Sequence, residues 1–220
     1  MNGVPSMQRL AIVLAAGVLA AGCAGREPQR DSSGLVRVPS LKPGNLFAHP
    51  TRSIDDYDDV WVAEVGIAYG PKQEPMIHEE VKAVGKLVRD VTLEQFPIAE
   101  QLPASEAGPC TLKLGVHLAQ LEFPRAGAHN NGGATVILEF QDSETGEPLV
   151  RFGQRRELSI PSESKVGSNL GRIQRTMESV LEDVGHRLRD IPVKQTGALA
   201  DRGCQGKVGE VRKDTHLGKE

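Results

Sequence analysis

Several residue spacings in this 220-residue chain invite a chemical reading. Ser162-Glu163-Ser164-Lys165 has the Ser-x-x-Lys spacing of penicillin-binding enzymes, in which a lysine one helical turn on activates the serine. Here the motif follows Pro161 in a polar stretch, and neither a Ser-Asp-Asn nor a Lys-Thr-Gly partner occurs in the chain. Asp55, Asp56, Asp58 and Asp59 are clustered carboxylates, the ligand type that calcium takes. The glycine and the distal glutamate of a calcium loop are missing, so the cluster reads as a solvated entrance to a strand. Six histidines, at 49, 78, 117, 129, 186 and 216, are scattered without a zinc spacing. His78-Glu79-Glu80 falls short of the zincin pattern because Lys82 stands where the second histidine belongs. The glycine-rich residues 126–133 do not link a strand to a helix and no Lys-Ser or Lys-Thr follows, so they read as a connection between strands, with partner contact as the alternative. Acyl transfer, metal hydrolysis and cofactor chemistry each lack an obligatory part. No catalytic residue, metal or cofactor is expected.

The three cysteines divide by context. Residues 1–9 carry Arg9 and no acid, and lead into an apolar run over 10–21 that ends in Ala20-Ala21-Gly22-Cys23. That run of about a dozen residues fits the core of a secretory signal and is short of the ~20 needed to span a bilayer. The sequence around Cys23 resembles the bacterial lipobox, with Leu19 one place earlier than the usual leucine. A signal peptide over 1–22 is expected, then lipidation of Cys23, which would hold the protein to a membrane without a spanning helix. Ala24 rather than aspartate follows, as in lipoproteins passed to the outer membrane. The expected address is therefore the periplasmic face of the outer membrane. Cys110 and Cys204 would then lie in an oxidising compartment. They form a disulfide or stay unpaired, because the place of Cys204 in a polar tail is not fixed by sequence.

The whole chain has a formal charge of −3. Removing residues 1–22 takes away only Arg9, which leaves 25 basic against 29 acidic residues. A mildly acidic chain offers no electrostatic footprint for nucleic acid. Aromatics make up 4%, so a core must rest on Val, Leu and Ile.

The elements that would position any site follow from periodicity. Residues 23–53 are polar and punctuated by Pro28, Pro39, Pro43, Gly44 and Pro50, and read as a lipidated, extended tether. Residues 60–67 form an apolar, branched run suited to one buried strand. Pro75 precedes a helix in which Ile77, Val81, Val84, Val88 and Val91 share a face. Leu112, Leu114, Val116 and Leu118 alternate with Lys113 and His117, a strand with one solvated side. Ala134, Val136, Leu138 and Phe140 alternate likewise, and lead through Asp142-Ser143-Glu144-Thr145-Gly146-Glu147-Pro148 into a third alternating run, with Gly146 supplying positive φ in the hairpin. A last amphipathic helix carries Leu170, Ile173, Met177, Val180, Val184, Leu188 and Ile191. Residues 192–220 are rich in Lys, Arg and Gly and read as a charged, flexible tail, solvated or touching acidic lipid or glycan. The expectation is an α+β body over 54–191, a two-layer α/β sandwich of order β-α-β-β-β-α, with a four-stranded sheet and two helices on one face.

Ser33-Gly34-Leu35, Leu41-Lys42-Pro43-Gly44, Tyr57-Asp58-Asp59-Val60, Gly132-Gly133-Ala134 and above all Asp142-Ser143-Glu144-Thr145-Gly146-Glu147 resemble the bacterial lipoproteins grouped as domain of unknown function 3313. The resemblance runs over residues 33–191, implies the same address and domain limits, and carries no catalytic residue across. The element order is also similar to the amino-terminal domain of TolB and to lipoprotein activators of peptidoglycan synthases, a likeness of topology only. The expected function is a membrane-anchored binding or accessory module of the cell envelope, with Asp142, Thr145 and Gly146 as possible contacts to an envelope protein or peptidoglycan. The alternative is an envelope hydrolase whose site is assembled from distant residues.

Overall fold

Three long alternating runs form the centre of the sheet, and short strands flank them. The structure is a computed structural model that describes residues 28–63, 65–95, 100–101, 103–124, 132–158, 169–192 and 199–214. In chain order the strands are β1 Val36–Val38, β2 Asn45–Ala48, β3 Asp59–Val62, β4 Gly66–Tyr69, β5 Glu100–Gln101, β6 Thr111–Glu122, β7 Gly133–Asp142 and β8 Pro148–Arg156. The helices are α1 His78–Gln95, α2 Asn169–Leu188 and α3 Lys207–Asp214. Seven strands lie in the order β1-β2-β8-β7-β6-β3-β5, and β4 also pairs with β6.

The expected four-stranded sheet is therefore corrected to a mixed sheet of eight strands among the described residues. Part of the difference comes from the supposed tether. Within residues 23–53, Val36–Val38 pairs antiparallel with Asn45–Ala48, which pairs in turn with β8. Pro39, Pro43 and Gly44 belong to the loop joining the two strands; Gly44 has φ +85°. The expected single strand over 60–67 is two. Val62 pairs with Leu114 and Gly66 with His117, so one extra residue is inserted on that side and the ladder breaks as at a bulge. A second irregularity sits on β6, where Gln120 has φ +53°. It moves the buried set from Leu118 to Leu121 and so keeps the strand's apolar face inward.

One face of the sheet carries Leu112, Leu114, Val116, Leu118, Val136, Leu138, Phe140, Val150 and Phe152, all buried in a single core with Val84, Val88 and Val91 of α1 and Ile173, Met177, Val180 and Val184 of α2. The two helices pack on each other over this face. Ile77 departs from the expected stripe: it precedes α1 and is 67% exposed.

The C-terminal residues depart from a flexible tail as well. Leu199 and Val208 join the core, and α3 docks on residues 54–58, with the Val208 N–H donating to the Tyr57 carbonyl at 2.9 Å. Asp58 caps the approach to α3, its carboxylate accepting from the amides of Gln205 at 2.8 Å and Lys207 at 3.3 Å. Gly209 is required there, since a Cβ would lie 2.8 Å from that of Asp55. Cys110 and Cys204, 94 positions apart, are joined in a disulfide that ties this segment to the start of β6. Among the described residues no helix is long and apolar enough to cross a membrane.

Candidate functional site

The expected contact residues at the β7–β8 turn divide into structural and exposed parts. Asp142 is fully buried. Its Oδ1 accepts from the amides of Glu144 at 3.0 Å and Thr145 at 2.9 Å, which closes the turn. Its Oδ2 accepts from Arg52 at 2.6 Å, the Tyr57 hydroxyl at 2.8 Å and Arg202 at 3.0 Å. Burial alone would raise its pKa, but the Thr145 amide, Arg52, Tyr57 and the Glu144 amide outweigh burial and hold the carboxyl far below the usual range. Burial first, then the neighbouring carboxylate, push the Tyr57 phenol well above its ordinary value. With five donors on one carboxylate, Asp142 has no capacity left for a partner.

The rest of the motif is also committed to the fold. Ser143 Oγ donates to the Gly108 carbonyl at 2.8 Å, two residues before Cys110. Glu144 pairs with Arg202 at 3.4 Å, and Thr145 Oγ1 accepts from the Glu147 amide at 3.2 Å. Gly146 has φ +70° with open space around it. Glu147 pairs with Arg52 and with His49 Nε2, the latter at 3.1 Å. His49 Nδ1 accepts from the Arg52 amide at 2.9 Å, so the proton facing Glu147 is on Nε2. The six-residue motif thus clamps the hairpin, the approach to β3 and the C-terminal segment together. Thr145 and Gly146 are exposed at its tip.

A different surface stands out once the sheet is assembled. Both main helices cover one face; the opposite face carries Trp61, Lys113 and Gln141 in one row, Gly115, Glu139, Arg151, Phe47 and Arg37 in the next, then Gly66, His117, Ile137, Gly153 and Asn45. Trp61, Phe47 and Ile137 are half-buried and lie outside the core cluster. The Lys113 ammonium sits over the Trp61 ring, 5.6 Å from its centroid. The His117 ring lies across two glycines: a Cβ on Gly66 would come within 2.3 Å of Nδ1, and one on Gly115 within 3.3 Å of Nε2. A Cβ on Gly153 would meet open space. Small residues, Gly66, Gly115 and Gly153, flank its aromatic and histidine rings.

Its charge is uneven. Arg151 is neutralised by Glu139 and by Asp31 at 2.7 Å. Arg37, Lys113 and Arg155 have no ion-pair partner among the described residues; Arg37 reaches Gln29 and Asn45, and Arg155 reaches Gln120, all uncharged. The partly apolar face therefore carries three cations, Arg37, Lys113 and Arg155, that no carboxylate among the described residues pairs. Sequence reading found Lys113 and His117 on a solvated side but missed Phe47, Arg37 and Trp61, because the first two lay in the supposed tether and Trp61 in a supposedly buried run. The alternation of Arg151, Gly153 and Arg155 was the available signal.

Beside this face a groove of about 530 Å³ runs between β1, β2 and the end of α2, lined by Val36, Val38, Pro39, Ala48, Pro50 and Ile191 among others and open to solvent. Among the described residues no group of His, Cys, Asp and Glu side chains is arranged to hold a metal. Cys23, the signal peptide, Ser162, Lys165 and positions 126–131 of the glycine-rich stretch lie outside the described residues.

No family model matches the chain, and no curated protein matches it. Among solved structures, a PelC dodecamer from Paraburkholderia phytofirmans aligns with a TM-score of 0.42 at 12% identity, over 64% of this chain and 96% of that one. XCC0632 from Xanthomonas campestris, of domain family of unknown function 330, aligns with a TM-score of 0.38 at 15% identity, over 65% and 90%. A putative neuraminyllactose-binding hemagglutinin homolog from Helicobacter pylori gives a TM-score of 0.34 at 11% identity, over 76% and 94%. Likeness of this degree carries no functional argument.

Proposed function

We propose that this chain is a lipid-anchored binding or accessory protein of the bacterial envelope, and that it offers the helix-free face of its sheet to an envelope protein with an acidic contact surface. The observation that carries the reading is the face itself: Trp61, Phe47 and Ile137 left outside the core, beside Arg37, Lys113 and Arg155 without acidic partners among the described residues. Aromatic and arginine side chains are enriched at protein interfaces relative to the rest of the surface. Unneutralised cations favour an acidic partner and a salt-sensitive association. The lipobox-like Cys23 supplies the address, and an anchored body has a raised effective concentration for partners at the same membrane.

The hydrolase alternative draws no support from the described residues. Asp58 is consumed as a cap, and its neighbour Asp59 pairs with Thr111, six residues of strand, roughly 20 Å, from His117.

The test places a photo-crosslinking residue at position 117 on the open face, or at position 182 on the exposed side of α2, in cells making the full chain. Discrete protein adducts from 117 and none from 182 support the reading. Adducts from 182 alone would contradict it, and adducts to cell-wall glycan would replace the protein partner with peptidoglycan.

A further inference from the structure

The chain enters the sheet at a definable place. Arg30 bridges Val36 in antiparallel sense, and the Arg37 N–H donates to the Gln29 carbonyl at 2.8 Å. Pro28 therefore lies beyond Gln29 in the direction of Val38 and the β1–β2 loop. Five residue steps separate Pro28 from Cys23, a reach of at most about 18 Å. An acyl group on Cys23 is tethered no farther than that from Pro28.

At the same end Leu41 is fully exposed. A lone exposed leucine is ordinary; this one is held out by the packing around it. Ser40 Oγ accepts from the Lys42 amide at 3.1 Å, the Lys42 ammonium pairs with Asp190 at 3.2 Å, and Gly44 is pressed so closely on Phe152 that a Cβ would lie 2.5 Å from its ring. The loop projects with an apolar apex, and directly behind it Lys42, half-exposed, is paired with Asp190. The Asp142 turn lies at the opposite end of the sheet, since Asn45 pairs with Gly153 while Ala48 pairs with Val150 near the start of β8.

We propose that this tip is a second membrane contact: Leu41 enters the interfacial layer of the bilayer that holds the Cys23 lipid, and Lys42 stays level with the headgroups. The lipid supplies attachment and the tip supplies orientation, so the strands run away from the membrane and the open face stands at its side, within reach of a partner on the same surface. The proposal rests on the lipoprotein reading above.

Full chain extracted from membranes is reconstituted into vesicles of phosphatidylethanolamine and phosphatidylglycerol, with or without bromine on the acyl chains. The native tryptophan is removed by Trp61→Phe, and a reporter is placed by Leu41→Trp or, at the far end, by Thr145→Trp. The Leu41→Trp emission is expected to shift to the blue and to be quenched by brominated lipid, while the Thr145→Trp emission does neither. Leu41 and Thr145 are exposed, and circular dichroism melts of Trp61→Phe alone and with each reporter establish that every variant used is folded. Fractionation of Cys23→Ser runs in parallel. If that variant leaves the membrane but the two reporters respond alike, this proposal alone is overturned. If Cys23→Ser stays with the membrane as wild type does, the lipoprotein reading falls and the proposal falls with it.

Discussion

Removing the Asp142 carboxylate tests whether the clamp under the hairpin is structural. Asp142→Ala leaves the Tyr57 hydroxyl buried without an acceptor for its proton, and takes from Arg52, whose side chain is 18% exposed, its most buried anionic partner. Breaking a buried pair by deleting one member typically costs about 3–5 kcal/mol. The lower end applies here, because Arg52 keeps Glu147, Arg202 keeps Glu144, and water can reach the freed amides at the exposed turn. A loss of about 3 kcal/mol in a domain of this size lowers the melting temperature by roughly 6–12 °C. Circular dichroism melts of purified protein at neutral pH provide the measurement. The pH dependence supplies a second check: because the folded pKa of Asp142 is depressed, its contribution is complete above the unfolded value of about 3.9 and is lost as pH falls below that toward the folded value. Asp142→Asn should flatten that acid limb. A melting temperature within about 2 °C of wild type, which is under ~1 kcal/mol, together with an unchanged acid limb, would refute the reasoning.

Other expectations follow from neighbouring contacts. Tyr57→Phe should cost about 1–3 kcal/mol, since the hydroxyl both donates to Asp142 and accepts from Arg52; because the folded pKa of Tyr57 is raised, wild type should also lose stability as pH rises above the unfolded value of about 10, and the variant should lack that loss in alkaline urea titrations. Reducing the Cys110–Cys204 disulfide should cost about 2–4 kcal/mol and should speed amide exchange first in residues 199–214, as hydrogen–deuterium exchange would reveal. Gly146→Ala meets only the backbone penalty of positive φ, about 1 kcal/mol, whereas Gly44→Ala also drives a Cβ into Phe152 and should melt lower still; equal melting temperatures would count against the tight β1–β2 loop.

Periodicity was sufficient where an element is long and single-faced. Val84, Val88 and Val91, the alternating positions from Leu112 to Leu118, and the stripe from Ile173 to Leu188 are all buried as their spacing implies. It was insufficient for strands of three or four residues, which have too few positions for alternation to outweigh neighbouring prolines. Asn45–Ala48 is held by β8, about a hundred positions away, and Val36–Val38 pairs in turn with Asn45–Ala48, while composition read locally as a tether. The tail was misread for a similar reason: Leu199 and Val208 are isolated apolar residues in a charged stretch, and it is the disulfide and the Asp58 cap that fix where they land. Asp142 illustrates a limit of motif reading. The most distinctive run in the chain proved to be a clamp, since the side chains that consume its carboxylate come from two distant parts of the sequence, Arg52 and Tyr57 before β3 and Arg202 near the C-terminal end.

The central claim, that the open face of the sheet is occupied in the envelope, can be read from side-chain oxidation. Hydroxyl-radical footprinting compares intact cells with the purified full chain at Trp61, the only tryptophan, and Ile137 on the face, and at Ile77 and Leu170, which are exposed elsewhere. Protection of Trp61 and Ile137 in cells, reversed at high salt, with Ile77 and Leu170 oxidised equally in both samples, is the expected result. Equal oxidation of all four residues in cells and in the purified protein would contradict it.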